Sequence, residues 1–300
     1  MANTSVQIRV PATTSNLGPG FDSLGLALQL YNYFDLTLRR NGDIEVFTEF
    51  SGVQHDRTRS MVCLAARAFF KASGLKPRGF SMAITSDIPV ARGLGGSSTV
   101  VAAVLSGLNR LLGVPLLKQD LLNLGARIEG HPDNIVPAML GGFAVASYNR
   151  GKVFHLRAEL PCKLKFVVLI PDFEMETRQS RGLLPEKYPR PDVMRNINQA
   201  SLLTGAMILG KFSLVSQCLD DRLHQPYRSR LVPELYSVIN AGQNAGALGG
   251  WLSGAGSTIC CVTLEKAALV ARSMKRAFNR RRPGGQTRIL AADNVGVKIN

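Results

Sequence analysis

A glycine-rich stretch near the end of the first third of the chain carries the clearest chemical signal. It runs from Pro89 to Thr99 as Pro-Val-Ala-Arg-Gly-Leu-Gly-Gly-Ser-Ser-Thr, and an apolar segment with helical spacing follows it. Glycines allow backbone N–H groups to approach an anion closely, and a helix start adds unpaired N–H donors with a partial positive charge. The hydroxyl groups can cap the helix or bind Mg²⁺. The pattern favours a phosphate site, although a capped structural turn explains it equally well when it stands alone.

Known loop patterns do not settle the choice. The chain contains no GxxxxGK[ST] pattern, and Ser98 stands where GxGxxG requires its third glycine. A second Gly/Ser stretch, 252–257, reads Leu-Ser-Gly-Ala-Gly-Ser. On its own it is more typical of a tight turn before a strand. Neither loop alone therefore identifies a nucleotide site.

An acidic turn, 129–134, is the third chemical feature. It reads Glu-Gly-His-Pro-Asp-Asn and brings two carboxylates, an imidazole and an amide into six residues. Carboxylates suit Mg²⁺, and a histidine can hold a substrate group. The same residues can equally serve as local caps in a turn that ends a helix. Taken alone, the structural interpretation is the more frequent one.

Cysteine and histidine positions argue against zinc and against a disulfide framework. The five cysteines are odd in number and show no CxxC spacing, and the four histidines are widely scattered without an HExxH pattern. The first residues lack an apolar signal core, and no stretch approaches 18 uninterrupted apolar residues. We therefore expect a cytoplasmic protein with no membrane partner.

The charge of the chain favours anionic partners. Lys and Arg number 36 against 21 Asp and Glu, which leaves a formal net charge of +15. Seven basic residues and no acidic one lie in the stretch 271–288, a composition that can bind nucleic-acid backbones. Only Phe278 is aromatic there, and no nucleic-acid motif accompanies it. A solvated helix face is the favoured interpretation, so nucleic acid is not the expected partner.

The strands and helices predicted to position these residues follow one another in an irregular order. Length and a 45% hydrophobic content predict a globular chain of one large or two ordinary domains. In the first half we predict strands at 6–10, 34–38, 44–48, 80–85 and 142–148, and helices at 60–73, 99–112 and 118–129. A crossing segment at 149–161 leads to a strand at 166–170, a helix near 196–219 and a strand at 259–264. Without a regular βαβ repeat, this order predicts an α+β fold.

Three segments, taken together and in order, resemble the GHMP small-molecule kinases. They are Pro11–Ala27 (PATTSNLGPGFDSLGLA), the loop Pro89–Thr99 and the turn Leu252–Gly256. The sequences NLGPGFDSLGLAL and EGHPDN, the latter followed by Pro137, are similar to the homoserine kinase family within that group. The resemblance spans residues 10–263 and implies an N-terminal mixed α/β ATP-binding domain, 1–155, and a C-terminal ferredoxin-like α+β domain, 156–300.

The resemblance implies ATP and Mg²⁺ as the cofactors. The residues expected at the nucleotide are Pro89, Val90, Ala91, Arg92, Gly93, Leu94, Gly95, Gly96, Ser97, Ser98, Thr99, Gly254 and Gly256. Ser97 and Glu129 would hold the metal. Two positions depart from the family pattern, since Gly96 replaces the first serine of GLGSSA and Ser60 replaces an asparagine near the adenine. A shift of one residue would give the metal role of Ser97 to Ser98.

The same resemblance implies phosphorylation of the side-chain hydroxyl of L-homoserine on the way to threonine. The predicted substrate-binding residues are Asn16, Asp22, His131, Arg181 and Arg228. Two arginines can grip a carboxylate, and Asp22 can attract an ammonium group. The predicted catalytic residues are His131, Asn134 and Thr177, with His131 the fallback base.

Two other interpretations stay open at this point. One is a related kinase that acts on mevalonate, a sugar or a similar alcohol. The other is a non-catalytic member that binds nucleotide or nucleic acid. The assembly is also open, and a homodimer is one expectation.

Overall fold

The computed structural model describes residues 4–113 and 116–300, so the first three residues of the predicted N-terminal domain lie outside it. The strands are β1 (Ser5–Ser15), β2 (Leu24–Leu38), β3 (Ile44–Thr48), β4 (Phe80–Ser86), β5 (Phe143–Asn149), β6 (Lys152–Ala158), β7 (Lys165–Ile170), β8 (Gly249–Leu252), β9 (Ile259–Thr263), β10 (Gln286–Ala291) and β11 (Lys298–Ile299). The α-helices are α1 (Gly52–Ser73), α2 (Gly96–Leu111), α3 (Lys118–Glu129), α4 (Ile135–Leu140), α5 (Thr177–Arg181), α6 (Arg190–Ile208), α7 (Gln225–Arg228), α8 (Leu235–Asn244) and α9 (Ala267–Asn279). A 3₁₀ helix spans Phe212–Gln217.

The larger sheet is built around β2. Its order is β11–β1–β2–β4–β3, and β5 pairs with both β2 and β6. The β3–β4 pair is parallel and the others are antiparallel. On β2, Phe34 and Leu36 are buried while Tyr33 and Asp35 are exposed, because successive side chains of a strand point to opposite faces.

Helix α2 is the central helix of the first half. Every residue from Ser98 to Leu108 is buried, and the helix contacts β1 and the helices α1, α3 and α4. A helix that is apolar on all sides is stable only when it is enclosed in this way. Its first turn follows the glycine-rich loop, so the core fixes the position of that loop.

The smaller sheet has the ferredoxin-like arrangement that the resemblance implies. Its order is β10–β7–β9–β8, all antiparallel, with helices between β7 and β8 and between β9 and β10. Both faces of β7 are buried: Phe166 and Val168 pack into a core shared with Leu26 and Leu28 of β2, whereas Val167 packs towards helices α8 and α9. The predicted α+β class is confirmed.

The two halves of the chain are interleaved. β6 occupies most of the segment that we predicted as a crossing, and it pairs along its length with β5 in the larger sheet. Strand β11 follows the smaller sheet in the chain, but it pairs with β1 of the larger sheet. The predicted boundary at residues 155 and 156 falls inside β6, and the pairing favours a boundary after Ala158; the division itself stays a prediction.

Two predicted helices differ by eight or more residues from the observed ones at one end. α1 begins at Gly52, eight residues before the predicted start, because its first two turns are polar and carry little apolar periodicity. The helix predicted near 196–219 ends at Ile208, and Gly210, which has a left-handed φ of 67°, separates it from the 3₁₀ helix. Within the described ranges, no helix is both long and apolar enough to span a membrane.

Candidate active site

The three motifs meet at the end of β1. The Thr13 N–H donates to the Leu94 carbonyl of the glycine-rich loop (3.1 Å), and the Gly254 N–H donates to the Ser15 carbonyl (3.2 Å). Thr13 also donates its hydroxyl to Asn134 of the acidic turn (2.7 Å). One strand end therefore sets the relative positions of both glycine loops and the EGHPDN turn.

A buried series of hydrogen bonds between side chains joins the same segments. The distance from Trp251 Nε1 to Thr14 Oγ1 is 2.9 Å, and that from Thr14 Oγ1 to Ser253 Oγ is 2.8 Å. Ser253 Oγ in turn lies 2.6 Å from the Gly93 carbonyl oxygen. The carbonyl can only accept and the serine has one hydrogen, so Ser253 donates to Gly93, Thr14 donates to Ser253, and Trp251 donates to Thr14. All three side chains are at most 1% exposed.

Glycine is required at two positions of the first loop. Gly93 and Gly95 have left-handed φ values of 74° and 69°. A Cβ at Gly93 would lie 2.2 Å from the Ser253 carbonyl oxygen, and one at Gly95 would lie 1.9 Å from Thr13 Oγ1. The loop backbone thus packs against its neighbours while its other side stays open to a cleft.

This cleft has a volume of about 780 Å³ and is lined by both halves of the chain. Every predicted binding or catalytic residue lines it except Thr99. Thr99 is buried; its hydroxyl donates to the Gly96 carbonyl (2.7 Å) and accepts from Asn32 (2.9 Å). Thr99 therefore holds the first turn of α2, and which groups the cleft residues bind stays a prediction.

The side chain of Arg92 is bound to protein carbonyls. Its guanidinium donates to the carbonyls of Val90 (2.9 Å), Pro171 (2.9 Å) and Asp172 (2.7 Å). These contacts connect the glycine-rich loop to the end of β7. Each guanidinium nitrogen of Arg92 therefore already has a protein acceptor.

Two serines and a glutamate form an oxygen cluster at the start of α2. Ser97 Oγ donates to Glu129 Oε1 (2.8 Å), and Ser98 Oγ donates to Oε2 (2.5 Å). Burial raises the pKa of the Glu129 carboxyl, while the hydrogen bond from Ser98 and the charge of His131 act in the opposite direction. A partly buried carboxylate beside two hydroxyls is a donor set that suits a hard divalent cation.

A buried carboxylate, Asp133, was not among the predicted site residues. It is 2% exposed, lines the cleft, and is hydrogen-bonded through Oδ1 to His131 Nδ1. Burial lowers the pKa of His131, but the hydrogen bond and the charges of Asp133 and Glu129 outweigh it, so the pKa is raised. The signal is present in EGHPDN, where an aspartate follows a histidine by two residues, but the sequence alone leaves this carboxylate open between a functional group and a local cap.

Asn134 has a structural task within the cleft. Its Oδ1 accepts from Thr13, and its Nδ2 donates to Ser15 Oγ (3.0 Å) and to Asp133 Oδ1 (3.2 Å). Both amide hydrogens therefore have partners. Thr177, another predicted catalytic residue, is exposed at the start of α5 and lines the cleft.

Asn16 and Asp22 lie next to each other in the cleft. Asn16 Nδ2 donates to the Gly254 carbonyl (3.0 Å), and its Oδ1 accepts from the Asp22 N–H (3.0 Å). Arg181 binds both oxygens of Asp22, at 2.7 and 3.1 Å. Two predicted substrate groups, from different halves of the chain, are thus paired with each other.

Arg228 differs from Arg181 because it is buried and has no carboxylate within 4 Å in the described part of the chain. Its Nη1 contacts the Gly254 carbonyl (3.0 Å) and His224 Nδ1 (3.3 Å). Its Nε is buried without a partner among the described residues. Burial, and then the charge of Arg181, lowers the pKa of Arg228 to about 10. The guanidinium remains a cation, and the hydrogen bonds that it forms with the described residues involve Nη1 alone.

Helix α1 also lines the cleft. It contributes the apolar side chains of Val53, Met61 and Leu64 together with polar ones. Ser60, at which the sequence departs from the family pattern, is among the polar ones and offers a hydroxyl instead of an amide.

Comparisons with known proteins agree with this geometry. The family model described as "GHMP kinases N terminal domain" matches residues 60–142, and "GHMP kinases C terminal" matches residues 203–280. The chain is 38% identical to a homoserine kinase of Carboxydothermus hydrogenoformans, over 91% of this chain and 90% of the relative. It is also 38% identical to that of Moorella thermoacetica, over 97% and 99%. A crystal structure of homoserine kinase from Cytophaga hutchinsonii superposes with a TM-score of 0.90 at 25% identity, covering 100% of this chain and 98% of the other.

Substitution of Gly93 by alanine tests the loop packing. The added Cβ meets backbone and requires a left-handed alanine, so we expect a loss of about 2–4 kcal/mol in the free energy of unfolding. Urea unfolding can be followed by the fluorescence of Trp251, the single tryptophan of the chain. Gly96→Ala is the matched control, because its Cβ meets nothing within 4 Å; it should be neutral or stabilising by up to about 1 kcal/mol. Equal losses for the two variants would contradict the packing argument.

Proposed function

The chain belongs to the GHMP kinase family, within its homoserine kinases, and from this membership we propose that it transfers the γ-phosphoryl group of ATP to the side-chain hydroxyl of L-homoserine. The products are ADP and O-phospho-L-homoserine, on the way to threonine. The observation that carries the proposal is the buried Arg228 with its unpaired edge, in the same cleft as the glycine-rich loop. A cytoplasmic location and a homodimer stay predictions.

Charge complementarity supports an amino-acid substrate. A guanidinium edge with two parallel N–H donors matches a carboxylate, and Arg228 lines the cleft with its Nε unpaired. Asp22 lies nearby in its pair with Arg181, so an incoming zwitterion can place its ammonium beside Asp22 and its carboxylate between the two arginines. A neutral sugar or alcohol would leave Arg228 without a counter-charge.

The glycine-rich loop supports the phosphoryl donor. Backbone N–H groups at the start of α2 provide fixed positive ends without side-chain obstruction. The apolar region lined by Met61, Leu64 and Val90 suits a purine base through contact area rather than through a specific amide. Phosphoryl transfer needs alignment and charge stabilisation more than covalent help, which a rigid loop can supply.

The oxygen cluster fits Mg²⁺. Ser97, Ser98 and Glu129 offer only hard oxygen donors, and burial of the carboxylate favours a cationic partner. A bound Mg²⁺ would neutralise phosphate charge at this end of the cleft. We propose Glu129 with Ser97 or Ser98 as the protein ligands, because both hydroxyls contact the same carboxylate.

The hydroxyl proton of the substrate does not require a protein base in this site. A raised pKa keeps His131 protonated to a greater extent near neutral pH, which suits it to donate a hydrogen bond. We propose that Asn134 positions the turn and that Thr177 contacts the reacting groups from α5. The hydroxyl proton is then transferred to an oxygen of the phosphoryl group, and the site accelerates the reaction by holding the hydroxyl close to that group.

A panel of alcohols tests the substrate assignment. A coupled ADP-release assay should show turnover with L-homoserine and little with mevalonate or galactose, because only the amino acid supplies both charges. Preferential turnover of mevalonate or galactose would contradict the assignment. Loss of nucleotide turnover with every alcohol would indicate a non-catalytic member.

Arg228→Ala tests the carboxylate contact. Loss of a charged bidentate hydrogen bond costs about 1.5–3 kcal/mol, so the KM for homoserine should rise by roughly 10- to 150-fold while the KM for ATP stays within about twofold. Arg222→Ala is the matched control, since Arg222 is near in sequence but exposed and bound to Asp220. A rise in the ATP KM with an unchanged homoserine KM would refute the assignment.

Glu129→Gln tests the metal assignment. The amide keeps the shape but removes the negative charge, so the Mg²⁺ concentration for half-maximal activity should rise by at least about tenfold. Glu159→Gln, an exposed acid–amide change, is the control. Unchanged Mg²⁺ dependence in Glu129→Gln would place the metal on other ligands.

A further inference from the structure

A buried histidine beside the substrate cleft has no role in the function proposed above. His224 is 0% exposed and precedes α7, so that it lies one helical turn before Arg228. It does not line the cleft. Any effect that it has on a substrate must therefore pass through the residues that it contacts.

The two ring nitrogens of His224 have different partners. Nδ1 faces Arg228 Nη1 at 3.3 Å, whereas Nε2 faces the Gly18 carbonyl at 2.8 Å and lies 3.3 Å from the carboxylate oxygen Oδ2 of the buried Asp221. The carbonyl and the carboxylate are both acceptors on the Nε2 side. A guanidinium can only donate and a carbonyl can only accept. Both bonds therefore form at the same time only in the neutral ring with its hydrogen on Nε2.

The surroundings of the ring favour this neutral form. Burial lowers the pKa of His224, and the nearby charge of Arg228 lowers it further, although Asp221 acts in the opposite direction. Asp221 accepts the backbone N–H of His224 (3.2 Å) and of Gln225 (2.6 Å), which fixes the turn before α7. A protonated ring would place a second cation against Arg228 in a buried site.

Nδ1 of His224, as a hydrogen-bond acceptor, determines which nitrogens of the Arg228 guanidinium have no protein partner. Nη1 carries two hydrogens, and they are taken by His224 and by the Gly254 carbonyl. The Nε and Nη2 edge is left without a protein partner in the described ranges. Without the histidine, the guanidinium could rotate and present a different edge to the cleft.

Phe21 joins the same arrangement from the first half of the chain. Its ring stacks on His224 with centroids 5.3 Å apart and an interplanar angle of 22°. The guanidinium carbons of Arg228 and Arg181 lie 5.2 and 5.6 Å from its centroid. Gly18 and Phe21 belong to the loop that carries Asp22, so His224 connects Arg228 to the loop that would hold the ammonium group.

We propose that His224 is a positioning residue for the amino-acid substrate: its neutral ring holds Arg228 so that the Nε and Nη2 edge meets the carboxylate, and it anchors that arginine to the Gly18–Asp22 loop. This inference rests on the proposed function, because it assumes that Arg228 binds the homoserine carboxylate.

Three variants separate the two hydrogen bonds. In His224→Asn the amide oxygen can replace Nδ1 as the acceptor for Arg228, whereas in His224→Gln the amide nitrogen can replace Nε2 as the donor to Gly18. His224→Ala removes both. We expect the KM for homoserine to rise about tenfold in the alanine variant, to return most of the way in the asparagine variant, and to recover less in the glutamine variant. The KM for ATP should stay within about twofold in all three.

The outcomes are distinguishable from a failure of the proposed function. Wild-type protein that phosphorylates no homoserine would refute the function, whereas active wild-type protein with unchanged homoserine KM in all variants would overturn only the role of His224. If the alanine variant does not fold, the other two still decide, and better recovery with glutamine than with asparagine overturns the proposal. ¹⁵N NMR of the ring should show the neutral Nε2–H tautomer; a hydrogen on Nδ1 would also overturn it.

Discussion

The site depends on one buried chain of hydrogen bonds that runs from Trp251 through Thr14 and Ser253 to the Gly93 carbonyl. Each link has one possible direction, because the chain begins at an indole that can only donate and ends at a carbonyl that can only accept. The members come from β1, from the turn after β8 and from the glycine-rich loop. Because all are buried, loss of one member leaves others unsatisfied at a cost of about 1–3 kcal/mol each. The network therefore keeps the two halves of the chain in one arrangement at the point where the glycine-rich loop begins.

The charges at the other end of the cleft are arranged in two ways. Asp22 and Arg181 compensate each other at partly exposed positions, so the pair costs little in the absence of substrate. Arg228 is buried and is held by a carbonyl and a neutral imidazole, which satisfy hydrogen bonds but supply no negative charge. The carboxylates of Asp22, Asp221 and Asp133 stabilise its charge without binding it directly. Burial of a cation without a directly bound carboxylate costs free energy, and under the proposed function the carboxylate of the substrate would offset that cost.

Much of the fold followed from local patterns, but the decisive contacts did not. Helix α3 has the predicted bounds, because its apolar spacing is regular and Gly130, with a φ of 83°, ends it. β6 is not predicted by the pattern because neither face is uniformly apolar: Phe154 and Leu156 are exposed, and the buried Val153 shares its face with His155 and Arg157. The family resemblance predicted roles for Arg228 and the glycine loops. It could not show that Asp22 pairs with Arg181 or that His224 accepts a hydrogen bond from Arg228. Those contacts join residues that are far apart in the chain or depend on a tautomer, and neither is encoded in local spacing.

Many of the basic residues lie outside the cleft, so the net charge of the chain does not explain how one anion would be selected over another. Arg272, Arg276 and Arg280 follow one another at four-residue intervals on or just after α9, and they line a surface concavity outside the cleft. Like charges at this spacing weaken a helix slightly, and salt screens their field over about 8 Å. Such a patch can increase the rate at which anions reach the protein, but it cannot distinguish one anion from another. Discrimination requires a contact that is desolvated and fixed in direction, and Arg228, which is buried and held at Nη1 by His224 and Gly254, meets both conditions.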